Sequence, residues 1–126
     1  MLNTKDAIAT VAVKNLKAAA VFYEGALGFE KQGVIDEELI VYKSGKVVFN
    51  VYRSKYAGTN HATALSWAVG EELEAIVKTL KTKGVTFEHY DHMPGMTRNG
   101  DIHSGGGMKV AWFKDPDGNI LNIVSG

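Results

Sequence analysis

Apolar and polar residues alternate along the chain in two runs, and each run changes into a helical pattern. In the first, residues Ala7 to Val13 alternate as a β-strand does, with every second side chain on one face. Apolar residues then recur at helical spacing from Asn15, a good N-cap, to about Leu27, and Gly28 ends the helix. Three strands are predicted after it, the last two joined by a Ser44-Gly45 turn: Phe29–Ile35, Leu39–Lys43 and Lys46–Tyr52.

The same order of elements is predicted again after a polar connection, Arg53 to His61. Thr63 to Val69 alternates as a strand, and Glu71 to Lys83 has the apolar stripe of an amphipathic helix. The last two strands form a hairpin, because Pro116 fixes φ in the turn and Gly118 can take a positive φ. The strands predicted after the second helix are Val85–Tyr90, Met108–Lys114 and Asn119–Val124.

The two halves therefore form an internal repeat, which predicts an α+β fold of two βαβββ modules. Module 1 spans about residues 7–53 and module 2 about residues 62–125, within one domain of residues 1–126. A single module would leave one sheet face uncovered, so we expect the modules to pair into one cupped mixed sheet with the helices on the outside. Alternation predicts the residues of the concave side: Ile8, Thr10, Ala12, Val48, Asn50, Tyr52, Ala64, Ser66, Ala68, Ile120, Asn122 and Val124.

The composition of the chain excludes several classes of function. The 126 residues carry no formal net charge, so no overall field attracts nucleic acid or an anionic membrane. Cysteine is absent, which excludes disulfides, thiolate metal sites and cysteine nucleophiles and fits a reducing cytoplasm. The apolar run near the N-terminus is too short to cross a bilayer and lacks the features of a signal peptide. We expect a cytoplasmic protein that binds neither nucleic acid nor membrane.

Three short motifs, in order along the chain, resemble those of the vicinal oxygen chelate superfamily. They are Asn15-Leu16-Lys17 at the first helix start, Phe22-Tyr23-Glu24 followed by Leu27-Gly28-Phe29, and Phe113-Lys114-Asp115-Pro116-Asp117-Gly118-Asn119 near the end. That superfamily includes glyoxalase I, bleomycin-resistance proteins and extradiol dioxygenases, and the resemblance covers nearly the whole chain. It implies paired βαβββ modules, in agreement with the repeat, and a homodimer.

The resemblance also implies a divalent metal, held in the cup by histidines and glutamates of equivalent strands. Carried over by position, those ligands fall at Ile8, Asn50, Ala64 and Asn122. Ile8 and Ala64 cannot coordinate, and a neutral amide oxygen is a poor substitute for a carboxylate on a transition metal. We therefore expect no metal cofactor, and assign no catalytic residue.

Members of the superfamily that lack the metal bind and sequester ligands. The favoured interpretation is thus a metal-free protein that binds a small, partly aromatic molecule in the cup. An alternative is a metal-dependent lyase, isomerase or dioxygenase with an atypical site or loop histidines, and a third is an interaction module whose cup is filled by side chains. Asn50 and Asn122 would be hydrogen-bonding anchors in the first case, or would bond each other or buried water.

Further candidates come from aromatic and histidine side chains. Alternation turns either Trp112 or Phe113 inward, and Tyr42, Tyr56 and Tyr90 are candidates for the rim. The long connection Asp91–Gly107 has the glycines of a lid and carries histidines that could bind ligand, act as acid and base, or be merely solvated. The predicted ligand-binding residues are Thr10, Asn50, Tyr52, Ser66, His92, His103, Trp112 and Asn122.

Overall fold

A computed structural model describes residues 1–125 of the chain. The chain divides into two compact units, Met1–Gly58 and Thr59–Gly126. Each unit has its own mixed β-sheet and its own helix, so the predicted α+β class is confirmed. The hydrogen-bonded ladders divide the strands into two sheets, one of four strands and one of six, where the sequence predicted a single sheet.

The first unit follows the predicted order of strand, helix and three strands. Asn15 caps the helix, since its Oδ1 accepts hydrogen bonds from the amides of Lys17 at 2.9 Å and Ala18 at 3.1 Å. The helix changes to π-type winding over Val21–Ala26, and its end at Leu27 agrees with the prediction. The elements are β1 (Ala9–Val13), α1 (Leu16–Ala20), β2 (Glu30–Ile35), β3 (Leu39–Ser44) and β4 (Val47–Arg53), in the sheet order β1-β4-β3-β2.

One face of this first sheet forms the core of its unit. Val11, Phe49 and Val51 are buried on that face, which packs against α1. Tyr42 is also fully buried and donates a hydrogen bond to Glu24 Oε2 at 2.8 Å, so the prediction that it lines a rim is wrong. The alternate residues lie on the opposite face, which is more exposed.

The second unit contains the same order of elements with a hairpin added before its last two strands. The strand β5 runs parallel to β10, as β1 runs parallel to β4 in the first unit. The elements are β5 (Thr63–Ala68), α2 (Leu73–Thr82), β6 (Phe87–Glu88), β7 (Thr97–Asn99), β8 (Ile102–Gly105), β9 (Met108–Lys114) and β10 (Ile120–Val124), in the sheet order β5-β10-β9-β8-β7 with β6 also paired to β9.

The added hairpin corrects the prediction of a long, lid-like connection over Asp91–Gly107. The strands β7 and β8 lie within that segment and extend the sheet beyond β9. A side chain at Gly105 would meet the backbone oxygen of Gly95 and the sulfur of Met96, so the hairpin packs closely on the chain that precedes it. Three-residue and four-residue strands with polar side chains leave no alternating apolar pattern, which explains why the sequence did not predict them.

The predicted parity of the strands holds within each sheet. Thr10 lies opposite Asn50, and Ser66 lies opposite Asn122, so each pair shares a face. An irregularity in the β5–β10 ladder is the exception, because it pairs Ile120 with Thr63 and passes over Ala64.

The hairpin between β9 and β10 is closed by a carboxylate. Asp115 Oδ1 accepts hydrogen bonds from the backbone amides of Asp117 at 3.0 Å and Asn119 at 2.9 Å. The Asn119 amide group donates to Asp115 Oδ2 at 2.7 Å, and both side chains are buried. The turn then needs a positive φ of 89° at Gly118, which glycine adopts without strain.

The helices of the chain are short. Helix α2 follows a 3₁₀ turn at Gly70–Glu72 and buries Leu73, Val77 and Leu80, in agreement with the predicted apolar stripe. No helix within residues 1–125 is both long and apolar enough to cross a lipid bilayer.

Candidate functional site

A pocket of about 540 Å³ lies in the second unit. Three parts of the chain form it: the approach to β5, the segment that follows β6, and the strands β9 and β10. Aromatic and imidazole rings make up much of its lining, which suits a flat ligand. The lining residues are His61, Ala62, Thr63, His89, Tyr90, Asp91, His92, Met93, Trp112 and Ile120.

Trp112 is one of the two aromatic side chains in this lining besides the histidines. It lies on β9 directly opposite Asn122 of β10, so alternation turns Trp112 rather than Phe113 to the pocket face. Its indole Nε1 donates a hydrogen bond to Thr63 Oγ1 at 3.1 Å. The irregular β5–β10 ladder pairs Thr63 with Ile120 and so brings Thr63 to the face of Trp112, whereas strict alternation predicts Ala64 on that face.

A second ring, Tyr90, packs edge to face against Trp112, with 5.3 Å between the ring centroids. Behind both rings lies His103 of β8, whose ring centroid is 4.9 Å from that of Trp112 and 6.1 Å from that of Tyr90. His103 is only 1% exposed, and its Nε2 accepts a hydrogen bond from the backbone amide of Tyr90 at 2.9 Å. The imidazole of His103 therefore contacts both Tyr90 and Trp112 without itself lining the pocket.

His89, which also lines the pocket, belongs to a charged chain of contacts. Its Nε2 is 2.8 Å from Asp101 Oδ1, and Lys81 Nζ of α2 is 2.7 Å from Asp101 Oδ2. These hydrogen bonds, from Lys81 first and His89 second, lower the pKa of Asp101. Asp101 is therefore ionised near neutral pH and fixes the orientation of the His89 ring.

Asp91 is neutralised in the same way by an arginine of the added hairpin. Arg98 donates from Nε to Asp91 Oδ1 at 2.6 Å and from Nη2 to Oδ2 at 3.2 Å, and its Nη1 donates to the Gly100 carbonyl. The hydrogen bond from Arg98 lowers the pKa of Asp91. The two carboxylates near the pocket, Asp91 and Asp101, thus each have a basic partner.

Burial dominates the acid–base behaviour of the inner groups. It lowers the pKa of His103, an effect that the backbone of Val110 partly opposes, so the imidazole is neutral near pH 7. It raises the pKa of the Tyr90 hydroxyl. Among the described residues 59–125, three buried side-chain atoms have no hydrogen-bond partner in the chain: Tyr90 Oη, His103 Nδ1 and Asn122 Oδ1.

The predicted ligand-binding residues fall into three groups. Trp112 and His92 line the pocket. Ser66, His103 and Asn122 lie in the same unit but outside that lining, and His103 is a buried strand residue rather than part of the predicted loop. Thr10, Asn50 and Tyr52 lie in the first unit, where Asn50 is half-buried and the other two are exposed. A role of all these residues in binding stays a prediction.

The residues at the metal-ligand positions implied by the resemblance do not fit a transition metal. Ile8 and Ala64 carry no donor atom, and Asn50 and Asn122 offer only neutral amides. Asn122 is 8% exposed, and its Oδ1 is buried without a hydrogen-bond partner. Within residues 1–125, no three or more acidic or histidine side chains are grouped so as to hold a metal ion.

Part of the pocket lining was not predicted from the sequence, although Ile120, expected on the concave side, does line the pocket. His61, Ala62 and Thr63 precede or begin a strand. The strand predicted over Val85–Tyr90 covers only Phe87–Glu88, so His89 and Asp91 lie in the segment that follows it. The aromatic residue Tyr90 was a candidate for the rim, and it does line the pocket. The available signal was the clustering of histidines, since all four of the chain lie in the second unit and three of them fall between His89 and His103.

Comparison with known proteins gives the following matches. A sequence model of the Glyoxalase/Bleomycin resistance protein/Dioxygenase superfamily matches residues 6–123. Among solved structures, the chain is similar to an integron cassette protein from the mobile metagenome of the Halifax Harbour sewage outfall (23% identity, 97% of this chain and 99% of that one, TM-score 0.69). It is also similar to a lactoylglutathione lyase from Agrobacterium tumefaciens (15%, 96% and 92%, TM-score 0.71).

A third similar structure is a genomically encoded fosfomycin resistance protein from Listeria monocytogenes (13% identity, 98% of this chain and 91% of that one, TM-score 0.69). At these identities the three structures establish the fold alone. A search of curated protein sequences gave no match.

Proposed function

The chain belongs to the Glyoxalase/Bleomycin resistance protein/Dioxygenase superfamily, and from this premise we propose that it binds a small, uncharged, partly aromatic molecule without a metal ion. The ligand occupies the pocket of the second unit. The observation that carries the proposal is the pocket itself, whose lining combines Trp112 and Tyr90 with the charged residue Asp91, already paired with Arg98.

The aromatic lining supports a flat ligand. Trp112 and Tyr90 stand nearly perpendicular to each other, at an interplanar angle of 78°, and so present differently oriented surfaces to a molecule in the pocket. Aromatic pairs contribute about 0.5–1.5 kcal/mol beyond the area that they bury. Met93 adds an apolar side chain that adapts to ligands of different shape.

The paired charges support a neutral ligand. Arg98 neutralises Asp91, and Asp101 is shared between Lys81 and His89. An anionic ligand would need a basic side chain that is free to bind it, and Lys81 and Arg98 are already paired with carboxylates. An uncharged molecule leaves both ion pairs intact and loses less hydration on entering the pocket.

Calorimetric titration tests this proposal with a panel of neutral flat molecules such as coumarin, acridone and 2-naphthamide. We expect micromolar binding of at least one compound, and a loss of about tenfold or more in W112L, because a central aromatic contact contributes most of the affinity. Y56L is the matched control, since Tyr56 is an exposed aromatic residue of the first unit. Failure of every compound to bind, or equal binding by W112L, would refute the proposal.

A second candidate is an enzyme of the same superfamily that uses pocket histidines as acid and base. The observation that favours it is the contact of His89 with an ionised Asp101, which leaves Nδ1 as the atom available to accept a proton. Turnover of a bound compound that is abolished in H89Q would support this candidate over sequestration. One stoichiometric transition metal in protein prepared without chelator would instead favour the metal-dependent alternative.

The homodimer and the cytoplasmic location stay predictions. Light scattering tests the first, and fractionation of the source cells tests the second. The third interpretation is tested in W67F, which leaves Trp112 as the one tryptophan of the chain. A pocket closed by its own side chains would leave the fluorescence of Trp112 unchanged by the whole panel.

A further inference from the structure

We propose that His103 is a positioning residue of the pocket. Its neutral imidazole holds in place the part of the lining formed by Tyr90 and Trp112, here called the Tyr90 wall, and ligand affinity falls when the imidazole binds a proton. This inference rests on the proposed function, since it concerns the same pocket. His103 itself does not line the pocket and acts through Tyr90.

The hydrogen bond to Tyr90 defines the protonation state of the ring. A backbone N–H can only donate, so Nε2 of His103, 2.9 Å away, must present its lone pair. The proton of the neutral ring is then on Nδ1, which is buried beside the paired residue Val110 of β9. Because one tautomer alone satisfies the Tyr90 amide, the wall depends on the neutral form.

Protonation would remove this acceptor. Nε2 would then carry a hydrogen that faces the hydrogen of the Tyr90 amide, and two donors cannot share one bond. The amide would lose its partner in a part-buried place, where an unpaired polar group is costly. The Tyr90 backbone would therefore move away from β8.

The movement reaches the ligand through ring contacts. Tyr90 packs against Trp112 and against His103, and both Tyr90 and Trp112 line the pocket. Neither ring of this wall can shift without changing the space in which a flat ligand binds. The pocket and the protonation of His103 are thus linked, and by the same linkage a bound ligand opposes proton uptake.

The charged groups around His103 do not provide a partner for an imidazolium. Arg98 lies opposite His103 in the β7–β8 ladder, and Arg98 and His89 both disfavour a positive charge on the ring. Asp91 favours such a charge but is bound to Arg98, and Asp101 is bound to Lys81 and His89. β10 presents Asn122 and Val124, which do not titrate, on the face that it shares with β9.

The test measures the affinity for the neutral panel compounds, whose charge is constant, between about pH 8 and about pH 4.5. We expect the wild-type protein to lose about tenfold in affinity toward the acidic end. H103Q keeps an acceptor for the Tyr90 amide but cannot titrate, so its affinity should be constant with pH. H103L has no acceptor and should bind weakly at every pH.

The same pH profile in H103Q and in the wild-type protein would overturn the inference, because His61, His89 and His92 are present in both. If no compound binds at any pH, the proposed function fails and the inference falls with it. Far-UV circular dichroism at each pH shows whether the fold persists.

A second measurement needs no ligand. Long-range ¹H–¹⁵N spectra of the imidazoles identify the tautomer of His103, and amide exchange reports the hydrogen bond of Tyr90. The inference requires the Nδ1–H tautomer near neutral pH and a Tyr90 amide that loses protection in acid in the wild-type protein but not in H103Q. An Nε2–H tautomer would refute it.

Discussion

Asn50 and Asn122 occupy matching positions in the last strand of the first and of the second unit, yet their surroundings differ. Asn50 is half-buried, with Thr10 and Val41 as its neighbours across the strands. Asn122 is buried, next to Trp112 and Ser66. The repeat gives the two amides the same backbone position, and the neighbouring residues give them different chemistry.

The main structural difference between the units is the β7–β8 hairpin, which only the second one contains. It supplies His103 behind the Tyr90 wall, Arg98 for Asp91 and Asp101 for His89. The hairpin lies outside the pocket lining and supplies partners for three of the lining residues. Substitutions in or next to the hairpin should therefore change the stability of the second unit more than matched substitutions change the stability of the first unit.

The largest difference is expected for glycine-to-alanine substitutions. In G105A the new methyl group meets the Gly95 oxygen and the Met96 sulfur, and a backbone atom cannot move away cheaply. We expect the free energy of unfolding, measured by urea denaturation, to fall by about 2–3 kcal/mol.

G33A is the matched control in the first unit, because a Cβ at Gly33 meets no atom within 4 Å and Gly33 has no positive φ. It should be neutral or stabilising by about 0.5 kcal/mol. Equal effects of the two substitutions would mean that the hairpin is not packed as described.

A smaller difference is expected for the paired asparagines. Asn122 Oδ1 is buried without a partner, so N122L, whose side chain has the same number of heavy atoms, removes an unsatisfied acceptor and should stabilise the protein by about 1 kcal/mol. N50L, at a half-buried position, should change the free energy of unfolding by less than about 0.5 kcal/mol. Destabilisation by N122L would indicate that the amide bonds an internal water, as one interpretation of the sequence proposed.

The smallest expected difference is in pH dependence. Burial lowers the pKa of His103 in the folded state. Below the ordinary histidine pKa of about 6.5, the unfolded chain therefore binds more protons than the folded chain. The stabilisation that depends on neutral His103 is fully present above the ordinary histidine pKa. It is lost as the pH falls from that value through the lowered pKa of His103 in the folded protein. The first unit contains no histidine and should contribute nothing in this range.

Hydrogen exchange, corrected for intrinsic rates, measures this effect strand by strand. Protection of β8 and β9 should decrease on acidification, while protection of β3 and β4 stays constant. H103Q should remove the difference, and a loss shared equally by both units would contradict it.

The fold was largely predictable from the sequence because its signals are local. Asn15 and Gly28 bound the first helix, Gly45 and Gly118 mark hairpin turns, and alternation assigns the faces of the long strands. These features depend on neighbours in the chain. The β7 and β8 strands escaped prediction because they are short and polar and form only by pairing with β9 and each other.

The candidate site was predicted only in part for a related reason. Parity left Trp112 and Phe113 as alternatives, and the pairing of β9 with β10 decides for Trp112. Thr63 reaches Trp112 through an irregular ladder that no pattern of apolar residues encodes. His103 was assigned to a loop, since a single histidine between polar residues does not reveal that a strand will bury it. Pairings such as His89 with Asp101 join residues that only the folded backbone brings together.

The Asp115–Asn119 turn shows what the most recognisable motif of the chain contributes. Its carboxylate accepts hydrogen bonds from two backbone amides and one side-chain amide, all supplied by the turn itself. The carboxylate is also buried, so its contribution to the protein is to hold the turn in shape. A resemblance detected through this turn consequently reports a shared fold, and the chemistry of this chain has to be sought at other residues, such as those around Trp112.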